Sequence, residues 1–308
     1  PLHLRAEQSA EMSGTDSPIH TIRTMLGELL GGPDASIAHR RAQAQIFANA
    51  QPPTPLDIRI TPDRLGAIPV ERVQAVGSPS GVTFLHLHGG GYVMGDPAGS
   101  RSFTIALSRA AGCEVVSVDY RLAPAHPFPA AVDDAVAAYA ALLEAGVAAA
   151  SVVIGGESAG GGLAVAAVLA ARARGLPLPG GAVALSPWTD LACEGESHAT
   201  RHGRDPLLTR DVLLEMAAAY LAGADPRQPT ASPARADLTG LPRLLIQVGS
   251  EEVLLSDAQV LADCARGAGV DVELQVWPDM IHVWQMFPGL LPEADRAIAA
   301  IAAWLRPA

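Results

Sequence analysis

Ser151-Val-Val-Ile-Gly-Gly-Glu-Ser-Ala-Gly-Gly161 joins a short β-branched run to a turn crowded with glycine, and an alanine-rich stretch of helical character, Ala159 to Arg174, follows. Strand, turn and helix in that order make a tight reversal, in which flanking glycines leave room where a larger side chain would clash. At its apex stands Ser158, within Gly156-Glu157-Ser158-Ala159-Gly160. A serine in that position has its hydroxyl pushed into the open, as a nucleophile requires.

The pattern alone is weak. With 17 Ser and 30 Gly in 308 residues, chance supplies a G-x-S-x-G roughly 0.16 times. A second motif, His88-Gly89-Gly90-Gly91, is expected by chance only roughly 0.008 times. It begins at the end of the apolar run Val82-Thr-Phe-Leu-His-Leu87, which reads as a strand. Consecutive glycine N–H groups on such a loop can build an oxyanion hole from backbone donors. Ligands also bind at these strand ends in parallel α/β sheets.

Further strands are predicted over 57–60, 68–76, 114–120, 182–186, 243–248 and 271–277, giving eight with those at 82–87 and 151–154. Helical patterns lie between them near 99–111, 130–145, 159–174, 210–222 and 256–268, with a last one near 293–305. This alternation implies an α/β protein, a mostly parallel sheet with helices on both faces. The first two strands are joined by a short turn and are expected to start the sheet as an antiparallel pair.

Two regions fall outside the alternation. In the first, Ser17-Pro18 can cap a helix carrying Ile19, Ile22, Leu26, Leu29 and Leu30, which Gly31-Gly32 would end. A second helical pattern runs from Ile37 to Ala48, and Gln51-Pro-Pro-Thr-Pro55 reads as a boundary. Residues 1–52 are therefore read as N-terminal cap helices and 53–308 as the catalytic domain. The second region is an insertion at about 188–225, polar at first and helical later. Both are candidate lid elements; for the N-terminal helices, ordinary packing on the sheet is an equal alternative.

Composition narrows the function. Net charge is -11, and all 21 basic residues are arginine. Without a basic run, nucleic acid and anionic membranes are poor partners. Cys113, Cys193 and Cys264 make neither a disulfide framework nor a metal site, having no close Cys/His spacing. No stretch has the pattern of a secretory leader or transmembrane length, so a cytoplasmic protein is expected.

A serine hydroxyl needs a base to accept its proton and an acid to orient that base. In chain order serine, acid, histidine, only His282 of the nine histidines follows the last two strands, in Pro278-Asp-Met-Ile-His-Val283. The loop Gly249-Ser-Glu-Glu-Val-Leu-Leu-Ser-Asp257 offers three carboxylates. Asp257 reads as a cap or solvated charge on the following helix, leaving Glu251 and Glu252 in competition. Glu157 reads as a polar residue beside the elbow, and His86 as a strand side chain with a hydrogen-bond partner.

Nearly the whole chain resembles the bacterial hormone-sensitive-lipase-like esterases of the α/β-hydrolase superfamily. The resemblance is carried by His88-Gly-Gly-Gly-Tyr92, Asp119-Tyr-Arg-Leu-Ala-Pro124, His126-Pro-Phe-Pro-Ala-Ala-Val-Asp133 and Gly156-Glu-Ser-Ala-Gly-Gly161. It implies the α/β-hydrolase fold with a helical cap, and ester hydrolysis by a serine triad without metal or cofactor. In that group the acid stands two residues before a leucine and about five before an acidic residue. Glu252, with Leu254 and Asp257, matches, although the group usually has an aspartate there; Glu251 is the alternative.

The same resemblance makes the N–H groups of Gly90, Gly91 and Ala159 the oxyanion donors, and gives His88 the task of holding the glycine loop. The expected pocket wall comprises His88, Gly89, Tyr92, Trp188, Met280 and Trp284. Ala125 replaces the glutamate usual after Leu-Ala-Pro, which removes a local salt link. Members of the group often pair as dimers, so a homodimer is also an expectation. An amidase or deacetylase on the same machinery, or a non-catalytic receptor as in plant gibberellin receptors, are the rival readings. His282 stands against the receptor, since those proteins lack the triad histidine.

Overall fold

The computed structural model describes residues 17–29, 35–49, 53–77 and 81–306. Leu30, the helix stop at Gly31-Gly32, and the Gln51-Pro52 part of the boundary lie outside them. The strands are β1 (Ile58–Leu65), β2 (Ile68–Ala75), β3 (Thr83–Leu87), β4 (Glu114–Val118), β5 (Val152–Glu157), β6 (Gly181–Leu185), β7 (Leu244–Gly249) and β8 (Val272–Trp277). They form one eight-stranded sheet in the order β1-β2-β4-β3-β5-β6-β7-β8. β1 and β2 pair antiparallel, as do β2 and β4. Every pairing from β4 to β8 is parallel.

Side chains alternate across a strand, so each strand feeds two cores. Phe84, Val115, Val153, Val183 and Leu245 point to one face, where Phe103 and Leu107 of α3 (Arg101–Ala111) and Ile298 and Ile301 of α9 (Pro292–Leu305) cover them. The neighbours Leu85, Leu87, Val116, Val118, Ile154 and Ile246 point the other way. There they meet α4 (Ala130–Glu144), α5 (Ala159–Ala173) and α8 (Leu255–Gly267). Residues 159 to 171 of α5 are all buried, so this helix is apolar all round and lies at the centre of the molecule.

Small residues let α5 approach the sheet closely. A side chain at Gly156 would put Cβ 2.1 Å from the Leu87 carbonyl oxygen, and one at Gly160 would put it 1.9 Å away. Those are backbone collisions, which no rotamer change relieves.

β1 corrects the sequence reading, since it continues past residue 60 to Leu65. Its polar run with Pro62 resembles a loop, but β1 is an edge strand that pairs on one side only. Proline and charge are tolerated there, and its exposed positions face solvent.

The N-terminal segment forms α1 (Pro18–Leu29) and α2 (Ile37–Asn49). Ile22 and Leu26 of α1 are buried in the larger core. Arginines fasten α2 to the body: Arg41 Nε donates to the Val93 carbonyl (2.5 Å) and its Nη2 to the Ala123 carbonyl, while Arg40 Nη1 donates to the Leu207 carbonyl (3.2 Å). Between β6 and β7 stand α6 (Ser197–Thr200) and α7 (Arg210–Leu221), the latter begun by Thr209, whose hydroxyl accepts the Val212 N–H (3.4 Å). Among the described residues no helix is long and apolar enough to cross a membrane.

The steric account of α5 is testable by urea unfolding. Gly160→Ala should lose about 1–3 kcal/mol or more through overpacking. Gly267→Ala, in α8 with open space around the added Cβ, should instead gain about 0.4–1 kcal/mol. Equal stabilities for the two variants would contradict the close approach at Leu87.

Candidate active site

Ser158 sits between the end of β5 and the start of α5 with φ 57° and ψ −122°. A non-glycine residue there stores strain on the order of 1–3 kcal/mol and needs its surroundings to hold it. Its N–H donates to the Leu185 carbonyl (2.8 Å), and its carbonyl accepts from Gly161 (3.0 Å), Gly162 (3.2 Å) and Trp188 (3.0 Å). The hydroxyl is thereby directed toward the loop after β8.

There His282 waits with Nε2 2.9 Å from Ser158 Oγ, while its Nδ1 lies 3.0 Å from Glu252 Oε2. An ionised carboxylate can only accept, so Nδ1 carries the proton and Nε2 accepts from the serine hydroxyl. Glu252 is wholly buried, with 0% of its surface exposed. Its Oε1 accepts from Ser186 Oγ (2.7 Å) and from the Gly249 N–H (2.7 Å). The loops that carry Glu252 and His282 are also stitched together, since Glu251 N–H donates to the Met280 carbonyl (3.1 Å) and Ser250 N–H to that of Trp277 (2.9 Å).

Burial lowers the pKa of His282, but the hydrogen bond and charge of Glu252, with the charges of Asp205 and Glu157, more than offset this and leave the imidazole above its ordinary 6.5. Burial also raises the Glu252 carboxyl, against the hydrogen bonds it accepts.

Glu251 points elsewhere, accepting from Arg204 Nε at 2.6 Å. Asp257 lies on α8 but is no solvated charge. It is buried, and its Oδ2 accepts the Thr189 and Asp190 N–H groups, both at 2.9 Å. Of the two sequence readings the cap therefore stands and the solvated charge does not, but the segment capped is the chain leaving β6, whose N–H donors would otherwise be orphaned, rather than its own helix.

The glycine loop is held from beneath by a network that the sequence did not reveal. Glu157 is buried, and its Oε1 accepts the Gly89 N–H (2.8 Å) and the Ser100 hydroxyl (2.9 Å). Its Oε2 lies 2.7 Å from His86 Nε2, and His86 Nδ1 lies 2.7 Å from Ser117 Oγ. Burial alone would raise this carboxyl, yet His86 and the other donors prevail and hold it below its usual value.

His88 Nδ1 lies 2.8 Å from the Gly89 carbonyl oxygen. Its ring stacks on Tyr120 at 4.1 Å, and the Tyr120 hydroxyl donates to the His88 carbonyl (2.7 Å). Burial pushes the His88 pKa down to about 4, so the ring is neutral. Gly90 and Gly91 have φ 115° and 62°, and a Cβ on them would strike the Met94 carbonyl oxygen and Met216 Sδ. Among the described residues the N–H groups of Gly90, Gly91 and Ala159 donate to no protein acceptor.

Two cavities meet at Ser158, sharing Gly90, Met94 and Leu207. The larger, about 820 Å³, is bounded by Leu26, Arg41 and Phe47 of the N-terminal helices, by His88 and Gly89, and by Val283, Met286 and Phe287. The smaller, about 120 Å³, is closed by Gly91, Leu208, Leu213, Met216 and His282.

Tyr92, Trp188, Met280 and Trp284 do not line either cavity; all four are buried in the core. Tyr92 stacks on Tyr220 at 3.9 Å, Trp188 Nε1 donates to the Asp190 carbonyl (3.1 Å), and Trp284 packs near Trp277. Large side chains here gain more from packing on one another than from facing open space. The turn at Val283, with φ 51°, brings Val283, Met286 and Phe287 to the wall instead.

Among the described residues no group of three or more His, Cys, Asp or Glu side chains could hold a metal ion.

An alpha/beta hydrolase fold family matches residues 84–286. The chain is 55% identical over 228 residues to an acetyl-hydrolase of Streptomyces hygroscopicus, covering 74% of this chain and 76% of that protein. It is 36% identical over 246 residues to an esterase of Acinetobacter venetianus, covering 80% and 81%. In three dimensions it resembles a crystal structure of an esterase from the bacterial hormone-sensitive lipase family, with a TM-score of 0.90 and 44% identity. That similarity covers 94% of this chain and 97% of the other.

The carboxylate contact at Nδ1 yields a test independent of turnover. In an NMR titration the His282 imidazole should have a pKa above 6.5. Glu252→Gln should lower it by roughly 1 unit or more, whereas Glu251→Gln should move it little. A larger shift in the Glu251 variant would reverse the assignment of the partner.

Proposed function

Because the chain belongs to the α/β-hydrolase superfamily, among the bacterial hormone-sensitive-lipase-like esterases, we propose that it hydrolyses short-chain carboxylic esters through a Ser158-His282-Glu252 triad. One observation carries this reading. An unbroken line of hydrogen bonds runs from Ser158 Oγ through His282 to Glu252, ending at a cavity beside undonated backbone N–H groups.

The steps follow from the geometry. His282 Nε2 takes the Ser158 proton as Oγ attacks the ester carbonyl carbon. The carbonyl oxygen gains the electron pair and is held by the N–H groups of Gly90, Gly91 and Ala159, each worth about 3 kcal/mol. When the tetrahedral species collapses, the C–O bond to the alcohol breaks and His282 returns the proton to the leaving oxygen. Water then attacks the acyl-enzyme, with His282 again as base, and frees the acid and Ser158. Glu252 stabilises the imidazolium in both halves.

An ester carbonyl above Ser158 must send its two substituents in different directions. We assign a short acyl chain to the smaller compartment and the alcohol part to the larger, roofed by α1 and α2 and by Leu207 of the insertion. These elements serve as the lid in this reading. The acetyl-hydrolase likeness favours acetyl as one acyl group, on oxygen or on nitrogen. An amide would use the same residues, with His282 protonating the departing amine. The substrate in either case is a small molecule, and neither nucleic acid nor membrane insertion has a role.

Nitrophenyl esters test the proposal. kcat/KM should rise about fourfold per added CH₂, peak at about four to six acyl carbons, and then fall at the compartment wall. A rise that continues through twelve or more carbons would refute the pocket assignment. A fluorophosphonate should label wild type but not Ser158→Ala. Glu252→Gln should lower kcat by orders of magnitude and Glu251→Gln far less. Since the base must be neutral, kcat/KM should drop as pH falls through the raised His282 pKa, above 6.5.

A further inference from the structure

We propose that Asp205 is a positioning residue for His282, a second carboxylate that favours the imidazolium formed in the reaction and fixes the Leu207-Leu208 wall through the same side chain. The inference rests on the ester-hydrolase reading above. Asp205 lies in the insertion between α6 and α7, with only 6% of its surface exposed. Its Oδ1 accepts the Leu207 N–H (2.9 Å) and the Leu208 N–H (3.1 Å). Its Oδ2 accepts the N–H of Val253 (3.2 Å), the neighbour of Glu252. One carboxylate thus ties the acid loop to a wall shared by both compartments.

The charge state follows from the partners. All three are backbone donors, whereas a protonated carboxyl would need an acceptor for its own O–H. The three donors favour the carboxylate, against burial, which raises the Asp205 pKa from its ordinary value. Nearby cations are engaged elsewhere. Arg40 donates to the Leu207 carbonyl, Arg201 to the Ser250 carbonyl (2.7 Å), and Arg204 pairs with Glu251.

The Leu207-Leu208 wall that Asp205 holds lines the same small cavity as His282, and Glu252, the neighbour of its Val253 partner, contacts the imidazole, so a charge on His282 and that of Asp205 act on each other within one buried site. The imidazole in turn faces Glu252 in contact, with Asp205 and Glu157 acting at longer range. A fixed charge in a buried site needs no contact to stabilise a charge that develops there. Taking the proton from Ser158 makes His282 positive, and Asp205 then favours that state without touching the reacting atoms.

The experiment compares Asp205→Asn and Asp205→Ser with wild type, using the pH dependence of kcat/KM on nitrophenyl butyrate. The acid-limb pKa should fall by about 0.5 units or more as one negative charge is removed. kcat should fall about tenfold or more, and the acyl-length optimum should broaden as the Leu207-Leu208 wall loosens. Asp205→Glu should restore the pKa in part, which a purely structural role would not do. An unchanged acid-limb pKa, in variants whose Ser158 still reacts fully with fluorophosphonate, overturns the proposal while leaving the esterase reading intact. Failure of wild type to be labelled at Ser158 would instead remove the esterase reading itself. Should no variant fold, ¹³C-labelled Asp205 in the wild-type protein decides: its carboxyl resonance should follow the His282 titration, and one that stays flat through that pH range overturns the proposal.

Discussion

The Leu87 carbonyl lies where a side chain on Gly156 or Gly160 would have to go. That single approach brings the end of β3 against the elbow after β5, and the rest of the site depends on it. The loop after β3 carries the glycines, so the N–H groups of Gly90 and Gly91, which donate to no protein acceptor among the described residues, arrive beside Ser158. The same closeness lets Glu157, one residue before the serine, reach the Gly89 N–H and lock the loop. Strain at Ser158 is tolerated because Leu185 of β6, the first turn of α5 and Trp188 in the loop after β6 saturate its backbone hydrogen bonds.

Buried carboxylates then organise what the glycines place. Glu157 sits under the glycine loop, Glu252 behind His282, Asp257 under the chain leaving β6, and Asp205 between the loop after β7 and the pocket wall. Three of them accept backbone N–H groups from segments distant in sequence. Each exchanges hydration for several fixed donors, the condition under which a buried charge is tolerated. Arginines play the complementary part beside the cavities, where Arg40 and Arg41 hold α2 by donating to carbonyls.

What could be read from the sequence was local. Strand periodicity gave the eight strands and their alternation with helices, because the signal of burial on both faces is carried within each segment. The glycine motifs identified the two loops, and chain order singled out His282. The choice between Glu251 and Glu252 was not local, for adjacent carboxylates look alike until Arg204 claims one and His282 the other. Pocket residues were legible only to the level of the loop: the segment around 280–287 contributes wall, but the turn at Val283 decides which side chains face it. Glu157, Ser186 and Asp205 act through partners far along the chain, and nothing in their immediate sequence marks that. Ser186, at the end of β6, carried the one usable hint, since strand ends are where this kind of sheet builds its sites.

The central claim is that two glycine loops form one site around Ser158. A crystal structure of the fluorophosphonate adduct tests it most directly. The expected result is a Ser158 Oγ–P bond with the phosphonyl oxygen about 2.7–3.1 Å from the N–H groups of Gly90, Gly91 and Ala159, and His282 still bonded to Glu252. A phosphonyl oxygen turned away from those three donors, or an adduct on another residue, would contradict the account.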